Sequence, residues 1–547
     1  MWQNLQKTNR LIADITLVHI PLHSVKGCQS SEAMTDGVVC RQCTTQHPVL
    51  AAAQTPLFVP KRGIENKRVM LATTITANPC DGSIFALFSR RTGLTMAFVV
   101  VCSFALASCA ALAAAARSGS GAATKPILRG VRVYGGSTDT SPPIITRSPQ
   151  SVFGSSSQNS QSNDAANVIG SSFVTIEVDV QSIVQPAFAA MLVHCDAEWH
   201  EDKNFVVNDP SLRIAQIQVF QANSFSRYFT HRAKFTVPNS EVQLRFSGNW
   251  KAKIFDVDDM TTPLGEARFF VVDQEAETSL AMTIDAYSPR VGGTSPAAYL
   301  LEAALTAPPQ FLDENFHTVT LYRAWRWNEP IRIAQDGTMG RTETLYNRSS
   351  KMTVLGFSTA QKRFRITAIP AENEYRVLDI RDALRFPASN APLRFSLADL
   401  RRNGTSLLRG DDGAMTTDGV SPSTDEYVLM DFILDPEGFP SSRDIYLVGS
   451  FNGWKLLSDW KMRYDPEQRQ YVLAQYVRRG RHNYVYASAL VNKETGAPES
   501  YDYEECEGNT TSANQTFYAF FYYRNPQFGG YDALLGVAAM NAARRSK

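Results

Sequence analysis

The chain has 547 residues, and this length favours two to four domains over one. Its composition is 44% hydrophobic and 20% charged, and its 30 Phe, 20 Tyr and 7 Trp exclude a disordered protein. The formal net charge of +1, from 54 basic and 53 acidic side chains, argues against a dedicated nucleic-acid surface or a polybasic membrane-binding surface.

The first part of the chain lacks the pattern of a folded domain. Residues 1–86 show no sustained helical or strand periodicity. Cys40 and Cys43 have the spacing of half a zinc site, but no second pair follows to complete it. We therefore interpret residues 1–86 as a disordered or non-native leader, and we expect the working start of the protein to lie near Leu87.

Residues 87–117 have the features of an export signal. Two arginines precede an uncharged stretch over 92–116, and small residues fill the end of that stretch. A positive region, an apolar region and an Ala-rich cleavage zone are typical of a cleaved signal peptide. An uncleaved transmembrane anchor is the alternative, because the apolar stretch is long enough to cross a bilayer.

The signal contains a candidate lipidation site at Cys109. Leu106–Cys109 reads LASC, which resembles a bacterial lipobox, and in such signals cleavage precedes a cysteine that then carries lipid. Ordinary cleavage near Ala116 is the other interpretation. Under the first interpretation the protein is a lipoprotein, and under the second it is a soluble exported protein.

The cysteines fall mainly in the leader and the signal. Six of the eight lie within the first 109 residues, so a chain without these segments keeps Cys195 and Cys506, together with Cys109 if it is lipidated. Eight cysteines are too few for a disulfide scaffold in a chain of this length. Since Cys195 and Cys506 lie in different predicted domains, we expect no disulfide between them.

Beyond residue 118 the sequence predicts strands. Short runs of Val, Ile, Phe and Tyr alternate at period two between turns rich in Gly, Pro, Asn and Asp, which is typical of an all-β chain of tandem immunoglobulin-like β-sandwich domains. The run 297–305 fits either a helix or a strand. The predicted units are a first sandwich over 118–273 with a disordered insertion at 148–170, a second sandwich over 274–398, a linker over 399–424 and a C-terminal immunoglobulin-like domain over 425–540.

The sequence lacks the common signatures of catalysis, so we predict a protein that is not an enzyme. There is no phosphate-binding loop, no dinucleotide fingerprint and no GxSxG nucleophile motif. His194, Cys195, Asp196 and His200 form one dense group of potential metal ligands. On a strand, however, His194 and Asp196 face one side and Cys195 the other, so a strand end is the favoured interpretation and a metal-dependent hydrolase the weakest hypothesis.

The sharpest local motif is GSFNGW, which ends at Trp454. It joins a predicted strand to a Gly/Asn turn, and the segment around it resembles the glycogen-binding-like modules that have an immunoglobulin-like fold. Such modules bind sugar on exposed aromatic rings, so Trp454 and Trp460 are candidate glycan-stacking residues. The favoured alternative is that both rings belong to the core, because this module shape is reused without sugar binding.

Several separated motifs resemble one family, the type IX secretion system plug proteins of Bacteroidota. Their order and their coverage from about Ile127 to Gly536 make the resemblance specific, although no single motif does so. The motifs are HCDAEW at 194–199, YFTH at 228–231 with FTVPN at 235–239, SGNW at 247–250, NEYR at 373–376, GSFNGW at 449–454, and FYYR at 521–524 with YDALLG at 531–536.

The resemblance implies a periplasmic protein that works at the outer membrane. It would bind the giant β-barrel translocon and close its channel when no substrate is engaged. It brings neither catalytic residues nor a cofactor. An exported carbohydrate-binding protein that uses the GSFNGW module is the alternative function. Large rigid interfaces use aromatic and Arg anchors, and the candidate interface residues beyond Trp454 and Trp460 are Trp325, Trp327, Tyr522, Tyr523 and Arg524.

Overall fold

Alternating apolar runs form the strands of the computed structural model, which describes residues 125–147, 169–286, 297–335, 351–356, 361–407, 412–492 and 494–541. The predicted leader, the signal segment with Cys109 and residues 148–168 of the predicted insertion lie outside these described residues. The described part of the chain is nearly all β, with several antiparallel sheets, as the sequence predicts. Residues 297–305, which fit either a helix or a strand, lie in a strand.

The first sandwich contains two sheets with the strand orders β1-β3-β7-β6 and β2-β9-β8-β4-β5. Its core lies between them, because alternate residues of β3 and β8 point inward from the two sheets. Its strands are β1 (Ile127–Gly135), β2 (Ile144–Arg147), β3 (Val174–Gln181), β4 (Phe188–Cys195), β5 (Arg213–Ile214), β6 (Gln218–Gln221), β7 (His231–Val237), β8 (Gly248–Asp256) and β9 (Gly265–Asp273).

The second sandwich begins directly after the first. Its first sheet has the order β10-β11-β15-β14, and β12 and β13 begin its second sheet. A 3-10 turn at Asp313–Asn315 leads into β12. The strands are β10 (Glu277–Ala286), β11 (Ala297–Thr306), β12 (Phe316–Arg323), β13 (Ile331–Ala334), β14 (Met352–Leu355) and β15 (Gln361–Pro370).

The third sandwich follows β15, and its sheets are β17-β18-β21-β20 and β16-β22-β19 with β23 beside β22. One core fills the space between these sheets. Its elements are β16 (Arg376–Asp379), β17 (Asp399–Leu400), β18 (Tyr427–Asp435), β19 (Asp444–Gly449), β20 (Arg463–Asp465), β21 (Gln470–Arg478), β22 (Arg481–Val491), β23 (Pro498–Asp502), the one-turn helix α1 (Glu504–Glu507), and 3-10 turns at Pro422–Thr424, Ser450–Asn452 and Ser458–Trp460.

The chain then returns to the second sandwich. Strands β24 (Thr516–Asn525) and β25 (Tyr531–Asn541), joined by a 3-10 turn at Gln527–Gly529, complete the sheet β13-β12-β24-β25. The sequence-based division groups residues up to 540 with the C-terminal domain, whereas the strand pairing places β24 and β25 beside β12. The physical reason is that their alternate side chains complete the core of the second sandwich.

Candidate functional site

The HCDAEW motif forms a tight loop at the end of β4. The Asp196 carboxylate accepts hydrogen bonds from the backbone N–H groups of Glu198 and His200, at 2.8 and 2.9 Å. The loop holds Trp199 at a φ of 65°, a left-handed conformation that costs a bulky residue about 1 kcal/mol or more. In this conformation the Trp199 ring packs edge to face on Phe270 of the first sandwich, with centroids 5.3 Å apart, and its Nε1 reaches the second sandwich.

This loop fastens the first sandwich to the second. Trp199 Nε1 donates to the Tyr322 hydroxyl at 3.1 Å, and the Ala197 N–H donates to the Asp532 carboxylate at 3.0 Å. The ring of Phe270 stacks on Phe520 with centroids 4.2 Å apart. The buried cluster at this junction contains residues of both sandwiches, namely Ile144, Cys195, Ala197, Trp199, Phe270, Val272, Tyr322, Phe520, Tyr522, Leu534 and Val537.

The two histidines of the metal-site hypothesis point to different places. His194 is completely buried, with Nδ1 hydrogen-bonded to Asp202 and Nε2 2.9 Å from the Ser247 carbonyl oxygen. The His200 side chain is exposed and lies 3.2 Å from Asp196. Among the described residues there is no group of three or more His, Cys, Asp or Glu side chains that could hold a metal ion.

Gly248 of the SGNW motif has a steric role beside His194. Its φ is 142°, and a Cβ atom at this position would lie 2.1 Å from His194 Nε2 and 2.8 Å from the Asp532 carbonyl oxygen. Only glycine therefore fits between the buried histidine and the second sandwich. The next residue, Asn249, accepts a hydrogen bond from the Tyr522 hydroxyl at 2.8 Å.

The first and third sandwiches meet through a buried network of charges. Arg478 donates to Glu177 at 2.7 Å and to Asp425 at 2.8 Å. Arg232 donates to Asp179 at 2.5 Å and also contacts Asp425. Burial alone would raise the pKa of Glu177, but the charges of Arg478 and other basic groups outweigh it and hold that pKa well below its usual range. The network fixes the orientation of the two sandwiches.

Tyr228 of the YFTH motif lies at the same junction. Its ring stacks on Tyr476 of β21, with centroids 4.7 Å apart, and it also contacts the ring of Tyr427. The guanidinium of Arg129 lies 4.7 Å from the centroid of the Tyr228 ring. The aromatic contacts border the charged network and add apolar area to the junction.

Arg326 joins the second sandwich to the third. It is 1% exposed, and its guanidinium lies 2.5 Å from the Glu372 carboxylate and 3.4 Å from Glu329. The centroid of the Tyr503 ring is 4.4 Å away, and that of the Trp454 ring is 5.3 Å away. Each buried charge here is therefore compensated by an opposite charge or by an aromatic face.

Four of the predicted interface aromatics are buried. Trp460 stacks on Phe451 at 4.6 Å within the core of the third sandwich, and Trp454 is 2% exposed with its Nε1 bonded to the Gly413 carbonyl oxygen. Tyr522 lies in the buried cluster between the first and second sandwiches, and Tyr523 lies in the core of the second. Stacking of a sugar on Trp460 would require a rearrangement of the core, and glycan binding by this module stays a prediction.

The three remaining candidates are more accessible. Arg524 is exposed and forms an ion pair with Asp532 at 2.9 Å. Trp325 and Trp327 are half-buried, and their rings meet edge to face at 6.3 Å. The structure therefore brings Trp325, Trp327 and Trp454 together, and it places Arg524 elsewhere. Their role as interface residues stays a prediction.

A cleft of about 160 Å³ lies where the three sandwiches meet. The first sandwich contributes Arg132 and Arg268, the second Trp325 and Trp327, and the third Trp454 and Lys455. Trp325 and Trp454 have left-handed backbones, with φ of 62° and 59°. Sequence reasoning selected the three tryptophans but missed the cleft, because its two arginines belong to a domain that is distant in the sequence.

The two cysteines of the described chain are free and buried. Burial raises the pKa of the Cys195 thiol to about 12 and also raises the pKa of Cys506. A buried neutral thiol is a poor nucleophile. Cys195 lies in the cluster between the first and second sandwiches, and Cys506 lies in the core of the third.

Residues 150–273 match the type 9 secretion system plug protein first domain. This match supports the plug family and a role associated with type IX secretion. The matched segment includes the HCDAEW and SGNW motifs, which form part of the junction with the second sandwich. The C-terminal glycogen-binding-like module has no such match.

A crystal structure of a hypothetical protein from Parabacteroides merdae ATCC 43184 has a similar fold. The TM-score is 0.55 with 18% sequence identity, and the alignment covers 76% of this chain and 97% of that one. At this identity the likeness concerns the fold alone. The search of curated proteins gave no significant match. No helix in the described part of the chain has the length and apolarity needed to cross a membrane.

Proposed function

We propose that the protein is a non-enzymatic periplasmic plug of the type IX secretion system. In this proposal it binds the outer-membrane translocon barrel and closes its channel when no substrate is engaged. The observation that carries the proposal is the plug-type first domain at residues 150–273. The ordered motifs from about Ile127 to Gly536 extend the same resemblance over the second and third sandwiches.

The junctions between the sandwiches support this proposal physically. A plug has to resist movement while it blocks a channel, so it needs a preformed surface rather than a chain that folds on binding. Hydrogen bonds, buried charges and stacked rings join all three pairs of sandwiches. Such a body presents its surface without a large entropic cost of ordering.

The proposed location follows from the predicted signal at 87–117. Cleavage would release the protein into the periplasm, and lipidation of Cys109 would anchor it to a membrane, where a partner barrel is embedded. Intact-mass measurement of the protein from its native membrane distinguishes lipidation at Cys109 from cleavage near Ala116. Peptides from residues 1–80 in the mature protein would contradict the proposed start near Leu87.

Photo-crosslinking in the native cell tests the partner. Exposed apolar side chains occur on several parts of the surface, including Phe205, Leu384 and Phe439 at 80%, 94% and 93% exposure. A photoreactive residue at each position should crosslink to a very large outer-membrane barrel at one or more of them. The same photoreactive residue in place of the exposed Lys203 is the control for crosslinks that arise from random collisions. If none of the positions captures a barrel, translocon binding is contradicted.

Channel closure needs a separate measurement. Cells without the protein should admit a large hydrophilic antibiotic through the open translocon, and deletion of the translocon as well should restore the barrier. Permeability that does not depend on the translocon would contradict closure while leaving binding intact. The antibiotic and the crosslinking assays thus test the two parts of the proposal independently.

A further inference from the structure

The cleft at the meeting point of the three sandwiches has the size and the walls of a small-ligand site. Its volume of about 160 Å³ is similar to that of the cavity of about 150 Å³ that accommodates benzene in another protein. Trp325, Trp327 and Trp454 all line the space, so a planar ring would find aromatic contacts there. The space therefore suits one ring-sized apolar group.

Two of the tryptophans that line the cleft have a strained backbone. Trp325 and Trp454 have φ angles of 62° and 59°, which bulky side chains rarely adopt. Asn328 holds the two segments together by donating to the Gly453 carbonyl oxygen at 2.6 Å. Strain of this kind persists where the surroundings fix it, and it concentrates at ligand-binding sites. Both rings are thus positioned before any ligand arrives.

The charges of the cleft leave one cation without an ion pair. Two carboxylates line the space, but Asp139 pairs with Arg132 at 2.8 Å and Glu266 pairs with Arg268 at 2.8 Å. Lys455 is the remaining cation, and among the described residues no carboxylate lies within ion-pair distance of its ammonium. Lys455 is exposed to solvent, and desolvation and the charge of Arg268 lower its pKa overall, although the charge of Glu266 raises it. A bound anion would compensate both effects.

We propose that this cleft binds an aromatic carboxylate, with the ring between the tryptophans and the carboxylate on Lys455. The ligand is either a free aromatic acid or the C-terminal aromatic residue of a polypeptide, since both present a ring next to a carboxylate. Charge-assisted hydrogen bonds to a lysine are stronger than neutral ones, which selects the acid over its amide. This site does not depend on the proposed translocon binding, because its walls all belong to this chain.

Titration of the full chain with 3-phenylpropionate and with 3-phenylpropanamide tests the proposal, with the indole N–H signals of the tryptophans as the readout. The acid should shift the signals of the cleft tryptophans and should bind about tenfold more tightly than the amide. Lys455→Met should remove that preference while the fold, judged by the thermal midpoint, stays unchanged. Lys203→Met, which alters an exposed lysine outside the cleft, is the matched control and should keep the preference.

The peptide Gly-Gly-Phe with a free carboxylate distinguishes the two possible ligands, a free aromatic acid and a polypeptide C-terminus. Tighter binding than 3-phenylpropionate indicates a polypeptide C-terminus, and weaker binding indicates a free acid. Trp325→Leu should weaken the binding of both acids, because it removes one of the aromatic rings that line the cleft. The proposal is overturned if neither acid binds, if acid and amide bind equally, or if Lys455→Met behaves as the wild type. Binding of maltotriose with shifts of the same indole signals would also overturn it in favour of a glycan site.

Discussion

Arg478 donates a hydrogen bond to Glu177 at 2.7 Å across 301 positions of sequence. The carboxylate belongs to β3 of the first sandwich, and the guanidinium belongs to the end of β21 in the third. Both side chains are buried, so neither charge is solvated by water. The relative position of the two sandwiches therefore depends on whether the buried charges of Arg478, Glu177 and Asp425 stay paired.

Removal of the central arginine should be strongly destabilising. Arg478→Met leaves the carboxylates of Glu177 and Asp425 without their main partner, and such buried uncompensated charge costs about 3–5 kcal/mol. Arg394→Met is the control, since Arg394 forms an exposed pair with Asp431 that contributes about 1 kcal/mol or less. Urea unfolding measures both effects. Similar losses for the two variants would contradict the role assigned to the buried network.

The same network predicts a loss of stability in acid. The folded-state pKa of Glu177 lies below its ordinary value of 4.5, despite burial, because of Arg478 and Arg132. The unfolded state therefore binds the proton first, and the free energy of unfolding falls as the pH drops below about 4.5. In Arg478→Met this dependence should flatten. Urea midpoints between pH 5 and pH 3 test the expectation, and parallel curves for the two proteins would refute it.

The β architecture could be predicted because it depends on local alternation. In β3, Val174, Ile176 and Val178 point into the core of the first sandwich, and this period of two is visible in the sequence. The intervening Glu177 and Asp179 look like solvent-facing positions, yet they are buried against the third sandwich. No local pattern shows that a polar face is covered by a distant domain.

The pairing of β24 and β25 with β12 was missed for a similar reason. Strands β24 and β25 are nearly continuous apolar runs that are buried on both faces, and nothing in such a run identifies its partner, because strand pairing is a long-range property. The motifs that resemble the plug family are the part of the sequence that could have indicated these long-range contacts. Trp199, Tyr228 and Arg376 are motif residues, and each lies at an intramolecular junction or in a buried ion pair rather than on a free surface.

The Trp199–Tyr322 hydrogen bond should be measurable in the stability of the first junction. Tyr322→Phe leaves the buried Trp199 Nε1 without its acceptor, which costs about 1–2 kcal/mol. Tyr464→Phe is the control, because the Tyr464 hydroxyl has no hydrogen-bond partner among the described residues. Urea unfolding should show a loss for the first variant alone. Equal stability of Tyr322→Phe and the wild type would contradict the importance of this contact.

The cysteine thiols of the folded domains should resist labelling. Burial raises the pKa of Cys195 to about 12, so almost no reactive thiolate exists at neutral pH, and Cys506 is buried as well. Maleimide treatment followed by peptide mass spectrometry should find both residues unlabelled in the native protein and labelled in urea. Rapid labelling of either residue without denaturant would mean that its junction or core opens readily.

Buried His482 should give the free energy of unfolding a second, milder dependence on pH. The side chain is fully buried beside the GSFNGW motif, with Nε2 2.7 Å from the Arg478 carbonyl oxygen and Nδ1 3.1 Å from the Ser450 hydroxyl. Burial lowers its pKa to about 4, with smaller contributions from nearby arginines. Between about pH 6.5 and pH 4 the unfolded state therefore binds a proton that the folded state excludes.

The free energy of unfolding should consequently fall as the pH drops through that range, by up to about 1.4 kcal/mol per pH unit from this group. His482→Gln removes the titrating group, so the decline between pH 6.5 and pH 4 should become shallower even if the variant is less stable throughout. His200→Gln changes an exposed histidine and should retain the slope of the wild type. If His482→Gln retains that slope as well, the buried imidazole is not the source of the dependence.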